Sequence, residues 1–148
     1  MKVIGFNFTK FKAEKNADFK QSSSMNTSIE FLDLSKEEVS LLKDSEVIKL
    51  FFRHTFSHIL KEEKKEIKQA EVAIDGIIIL SLSKEEAKEI KKFWKKKQLP
   101  EQLKIVIFNI ILRKCLVKSI VLEEEIGLPL RIPVPHVSIQ APEDQEQN

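Results

Sequence analysis

Two long apolar runs with a charged segment between them constrain this chain most. From Val47 to Leu60 the even positions Ile48, Leu50, Phe52, His54, Phe56, His58 and Leu60 fit a strand, while Ile48, Phe51, Phe52, Phe56, Ile59 and Leu60 fit a helical stripe. The abundance of Phe, Val, Ile and Thr favours strand. So does the second run, where Ala70, Val72, Ile74, Ile78 and Leu80 alternate, with Gly76 placed as a bulge or kink would be. A charged turn, Lys61 to Glu66, joins the two, so together they predict a long hairpin. A further strand is expected over residues 3–11, where Ile4, Phe6 and Phe8 alternate with polar residues, and another over 26–34, with Ile29 and Phe31 on one face. The intervening residues 15–24 have turn chemistry and read as a loop or an extended crossover. After the second strand, Ser35-Lys-Glu-Glu38 resembles a capping box and suggests a short helix over 36–42.

After Leu82 the pattern becomes helical. Ser83-Lys-Glu-Glu86 is a second capping box, followed by Ala87, Ile90, Phe93 and Trp94 at helical spacing, and the helix ends near Leu99-Pro100. Pro100 can open the next helix. From Glu101 to about Glu124 the residues Leu103, Val106, Ile107, Ile110, Ile111, Cys115, Leu116 and Ile120 make a stripe wide enough to need cover on more than one side, from a sheet and from either the preceding helix or another subunit. Residues 127–137 must be extended, since their three prolines preclude a helix or a central strand. The acidic tail from Ala141 has no apolar anchor and is expected to be disordered. The 148 residues fit one domain, here 1–140, of the α+β class: a four-stranded antiparallel sheet followed by two helices packed on it.

Composition removes several function classes. A single cysteine, Cys115, forms no intrachain disulfide and no cysteine-based zinc cluster, and it falls on the apolar stripe of the long helix, where a thiol is a small hydrophobe. With no apolar run of signal-peptide or membrane-span length, a cytoplasmic protein is expected. Three glycines cannot build a phosphate-cradling loop, so no nucleotide cofactor is expected. His54 and His58 would suit a metal on a helix, but on a strand the same spacing spans roughly 13 Å, too far for one ion, and no HExxH pattern accompanies them. Partly exposed sheet histidines are the expectation. His136 lacks a recognisable nucleophile nearby. No catalytic, cofactor or metal residue is therefore assigned, and the chain reads as a binding protein.

The formal charge of +2 gives no whole-protein case for a polyanionic partner. One local case exists: seven lysines face three glutamates between Lys84 and Gln98, and Lys88, Lys91, Lys92, Lys95 and Lys96 could meet RNA or a ribosome as part of a larger assembly. The bland alternative is a solvated helix face.

The order of these elements, with Ala70-Glu-Val-Ala-Ile-Asp-Gly-Ile-Ile-Ile79, Leu99-Pro-Glu-Gln-Leu-Lys-Ile-Val-Ile-Phe-Asn-Ile-Ile-Leu-Arg-Lys-Cys115 and Gly127-Leu-Pro-Leu-Arg-Ile-Pro-Val-Pro-His-Val137, resembles the SecB family of export chaperones. The three segments are similar to that family's last strand, main helix and closing apolar segment. The chain differs in its extra Lys-rich helix, in His-Val where the family has Asn-Phe, and in lacking a final helix. The resemblance implies an ATP-independent chaperone, a homo-oligomer of two or four copies, that holds unfolded polypeptides, including preproteins, in apolar grooves. By position, Phe52, Phe56, Ile78, Leu80, Ile132 and Val134 would meet the client. The supply of apolar residues, ten Phe among them, exceeds what one four-stranded sheet must cover, and a groove, an oligomer or an ordinary core could each absorb it.

Overall fold

A computed structural model describes residues 1–21, 24–37 and 44–129. Four strands, β1 (Lys2–Lys15), β2 (Ser24–Glu37), β3 (Ser45–Glu62) and β4 (Lys65–Ser83), precede two helices, α1 (Lys84–Trp94) and α2 (Glu101–Glu125). The strands form one antiparallel sheet in the order β1-β4-β3-β2. The α+β architecture expected from the alternating and helical patterns is thus the one observed.

Residues 47–60 are strand, and the hairpin is tighter than the charged segment suggested. Glu62 pairs with Lys65, and Glu63 takes a φ of 48°, the left-handed backbone that a two-residue hairpin turn requires. β1 and β2 lie at opposite edges, so the connection between them crosses the sheet. Gln69, which is buried, holds that crossover: its Oε1 accepts from the Lys20 amide at 2.6 Å and its Nε2 donates to the Lys20 carbonyl at 3.2 Å. Phe19 then meets His58 edge to face, with ring centroids 5.9 Å apart.

Pleating sorts the hairpin into two faces. Ile48, Leu50, Phe52 and Phe56 of β3, with Val72, Ile74, Ile78 and Leu80 of β4, point toward the helices and form the core with Ala87, Ile90, Ile107 and Ile111. The opposite face mixes Phe51, Ile77 and Ile79 with polar residues and is largely half-exposed, and at its centre the Arg53 guanidinium donates to both Asp75 oxygens at 2.8 and 2.9 Å.

Several local expectations change. β1 carries register shifts between Val3 and Gly5 and between Phe8 and Lys10, so its inward residues are Val3, Phe6, Phe8 and Ala13, while Ile4 is half-exposed. Gly76 keeps regular pairing to Phe52, and the bulge lies opposite it on β1. A Cβ at position 76 would sit 2.6 Å from Phe52 Cζ and 2.8 Å from the Asn7 carbonyl oxygen, so the glycine serves close approach. Ser35, Lys36 and Glu37 belong to β2, paired with Lys49, Ile48 and Val47, because ladder pairing outcompetes an isolated capping sequence. The rest of the expected short helix lies outside the described residues, as do 130–137 and the acidic tail.

The second capping box does cap a helix: Ser83 Oγ accepts from the Glu86 amide at 3.2 Å. α1 closes after Trp94, with Lys97 at a φ of 52°. α2 opens at Pro100, whose carbonyl accepts from the Lys104 amide at 2.8 Å.

Candidate functional site: an apolar helix face

α2 is apolar on more rows than the sheet covers. Its buried residues are Ile107, Ile111, Cys115, Ser119 and Glu123, a single row spaced by four. That row runs down the line of contact with β3 and β4, and each neighbouring row lies about a quarter-turn away. On the side toward β2, Phe108 stacks on Phe31 with centroids 5.5 Å apart, and Lys104 Nζ lies 5.4 Å from the Phe108 centroid. Leu112 and Leu116 continue this flank, 43% and 42% exposed. On the side toward β1, Lys114 Nζ lies 5.9 Å from the Phe6 centroid. Away from the sheet stand Ile105, Val117 and Val121 at 56%, 65% and 49% exposure, with Val106 at 45% on the β1 side. Six large aliphatic side chains on one 25-residue helix are therefore substantially open to solvent.

The buried row ends in polar groups that the sequence pattern did not single out. The Ser119 hydroxyl donates to the Leu116 carbonyl at 2.7 Å, within the helix. Glu123 is fully buried, with its Oε1 3.9 Å from His58 Nε2. The only sequence signal for this pair is that a carboxylate recurs on the Ile107-Ile111-Cys115 spacing. Burial pushes the Cys115 thiol up to about 12, which removes the thiolate at neutral pH.

Residues expected to meet a client are brought together, but in the core. Phe52, Ile78 and Leu80 have no exposed surface and Phe56 has 3%. The alternation that marked them as sheet residues points them toward α2, which closes over them, so in this conformation they support the apolar helix from beneath. Ile132 and Val134 lie outside the described residues. His54 and His58, expected to be partly exposed, are buried at 1% and 4%. They share the helix-facing side of β3, where Thr27 Oγ1 is 2.9 Å from His54 Nε2. No group of three His, Cys, Asp or Glu side chains among the described residues could hold a metal ion.

Lys88, Lys91, Lys92, Lys95 and Lys96 are exposed along α1 and just beyond it. Lys91 approaches Glu46 at 3.8 Å, and the other four have no ion pair among the described residues. No helix among the described residues is long and apolar enough to cross a membrane.

The described residues thus form an α+β fold in which helices cover one sheet face and α2 turns six large aliphatic side chains toward solvent. No family model and no curated protein matches the chain. Among solved structures it is similar to a SecB-like chaperone of Mycobacterium tuberculosis in complex with a ChAD peptide from an antitoxin, at 10% identity and a TM-score of 0.46, over 95% of this chain and 92% of that one.

Proposed function

We propose that this protein is a non-enzymatic, chaperone-like binder that holds unfolded polypeptides on the apolar surface of α2 without using ATP. The observation that carries this reading is the exposure of Ile105, Val106, Leu112, Leu116, Val117 and Val121 on one helix. Solvent-exposed aliphatic residues interrupted by Asn109, Arg113 and Lys118 suit many apolar segments and demand no particular sequence, which is what a holder of unfolded chains needs. Association into a dimer or tetramer belongs to the same proposal, since it would multiply the surface offered to one client. A reducing, cytoplasmic setting suits the lone buried thiol.

Fluorescence anisotropy with a permanently unfolded polypeptide tests it. Binding without nucleotide, unchanged when ATP is added, is expected; no binding at any protein concentration refutes the proposal. Light scattering on the same sample is expected to give two or four chains, and a monomer would refute the oligomer. The four lysines along and just beyond α1 that have no ion pair among the described residues favour a second reading, attachment to RNA or a ribosome as an accessory subunit. It predicts salt-sensitive retention of RNA that Lys88→Gln with Lys92→Gln abolishes.

A further inference from the structure

A cleft of about 540 Å³ opens between α1, the start of α2 and the end of β4. Its floor is apolar, made by Leu82, Ile90, Phe93 and Leu103, and Phe93 is 40% exposed there. Its walls carry three carboxylates and one cation, the α-ammonium of Met1. Glu86 and Glu89 lie on the face of α1 that also bears Ile90 and Phe93, Glu101 opens α2 opposite them, and no lysine or arginine lines the cleft. The α-ammonium of Met1 lies 3.0 Å from Glu86 and pairs with it. Glu89 and Glu101 have no ion-pair partner among the described residues. Two of the three carboxylates of α1 thus line the cleft, and none of its lysines does.

We propose that this cleft docks a basic-apolar segment of a partner polypeptide, with one or two apolar side chains entering between the helices and flanking lysines or arginines meeting Glu86, Glu89 and Glu101. Charge complementarity selects this occupant. A purely apolar segment would leave the Glu89 and Glu101 carboxylates desolvated at its edges without a cation, and an acidic one would be repelled. The site goes beyond the holding of unfolded chains and does not depend on it. It would choose among partners by the charge around an apolar residue, whereas the exposed face of α2 takes apolar residues in general.

The test uses a fluorescent peptide with a Leu-Phe centre and two lysines on each side, and a twin carrying glutamates instead. The lysine peptide is expected to bind about tenfold more tightly at low salt, with the preference shrinking as salt is raised, since exposed ion pairs contribute about two- to fivefold each and are screened. E86Q/E89Q/E101Q removes two exposed carboxylates and the partly buried one paired with Met1, and is expected to erase the preference, while Phe93→Ala weakens both peptides alike. Substituting Leu112, Leu116 and Val117 by Ser leaves the preference intact, so failure of the unfolded-chain reading would be distinguishable from failure here. Equal binding of the two peptides, or a preference that survives the triple substitution, overturns the proposal. A change in sedimentation mass on E86Q/E89Q/E101Q would put a second copy of the chain in the cleft and overturn it equally.

Discussion

Replacing Gly76 by Ala tests whether the sheet and the helices share one tightly fitted core. The new methyl would lie 2.6 and 2.7 Å from Phe52 Cζ and Cε1 and 2.8 Å from the Asn7 carbonyl oxygen, all far inside van der Waals contact. Phe52 has no exposed surface and is packed beside Phe6, whose ring centroid is 5.6 Å away, so its ring cannot swing into solvent. Overpacking of this kind costs about 1–3 kcal/mol. A cost near the top of that range is expected, because one of the three contacts is backbone. Phe52→Leu alone destabilises by about 1–2 kcal/mol, less than the roughly 3–5 kcal/mol of a Phe→Ala truncation. Together the two substitutions should cost less than their sum by about 1 kcal/mol, since leucine withdraws the ring atoms nearest the new methyl. Relief remains incomplete because the Asn7 carbonyl stays in place. Urea unfolding followed by the fluorescence of Trp94, the only tryptophan, would measure all four corners of the cycle. If G76A falls within about 0.5 kcal/mol of the parent, or if the two changes are strictly additive, the packing inferred at the sheet centre is wrong.

Three further outcomes follow from single contacts. Ser83→Ala removes the acceptor for the Glu86 amide and should cost about 1 kcal/mol, read as a lower midpoint of thermal unfolding, with Ser83→Asp close to neutral. The Cys115 thiol, pushed up to about 12 by burial, should resist a thiol reagent at pH 8 in the folded protein and react at once in denaturant; rapid labelling of the native state would contradict its place in the buried row of α2. The hydrogen bond from Lys36 holds the Glu46 carboxyl below the usual carboxylate range. A depressed folded-state value means that this stabilisation is present above the ordinary range and disappears as pH falls through the lower, folded-state value. Glu46→Gln should therefore flatten the acid limb of the stability profile by at most about 1 kcal/mol, and an unchanged limb would show that the contact contributes nothing.

Much of the sheet could be read from the chain because pleating writes itself into period two. The runs around Phe52 and Ile78 announced a hairpin, and Ser83 announced the start of α1. The β1 alternation misled at Ile4 because a bulge reverses the facing of every residue beyond it, and nothing in Val-Ile-Gly-Phe marks which residue is the extra one. Ser35-Lys-Glu-Glu38 misled for a different reason: a capping box is local chemistry, and the β3 ladder across from it is not. For the candidate site, composition revealed a surplus of apolar residues but not its location. The sequence of α2 shows a wide stripe; which row is buried depends on how the helix lies on the sheet, and that placement buries Ile107 and Ile111 while leaving Val117 and Val121 outward. Phe52, Phe56, Ile78 and Leu80 were legible as sheet residues, yet alternation gives two faces without saying which one a helix will cover. The acidic cleft was less legible still, since Glu86, Glu89 and Glu101 come together only when two helices meet.

Suppression of aggregation tests the central claim most directly. A denatured client is diluted into the protein and turbidity is followed without nucleotide, for the parent chain and for L112S/L116S/V117S. Those side chains are 42–65% exposed, so a client that finishes their burial gains about 1 kcal/mol from each, roughly half the value of full burial. Losing all three should raise the concentration needed for half-suppression by about 100-fold. The urea midpoint should fall, because Leu112 and Leu116 are already more than half buried on the flank toward β2, so the two proteins are compared where both remain folded. Equal protection by parent and variant, or no protection by the parent, would contradict the assignment of α2 as the binding surface.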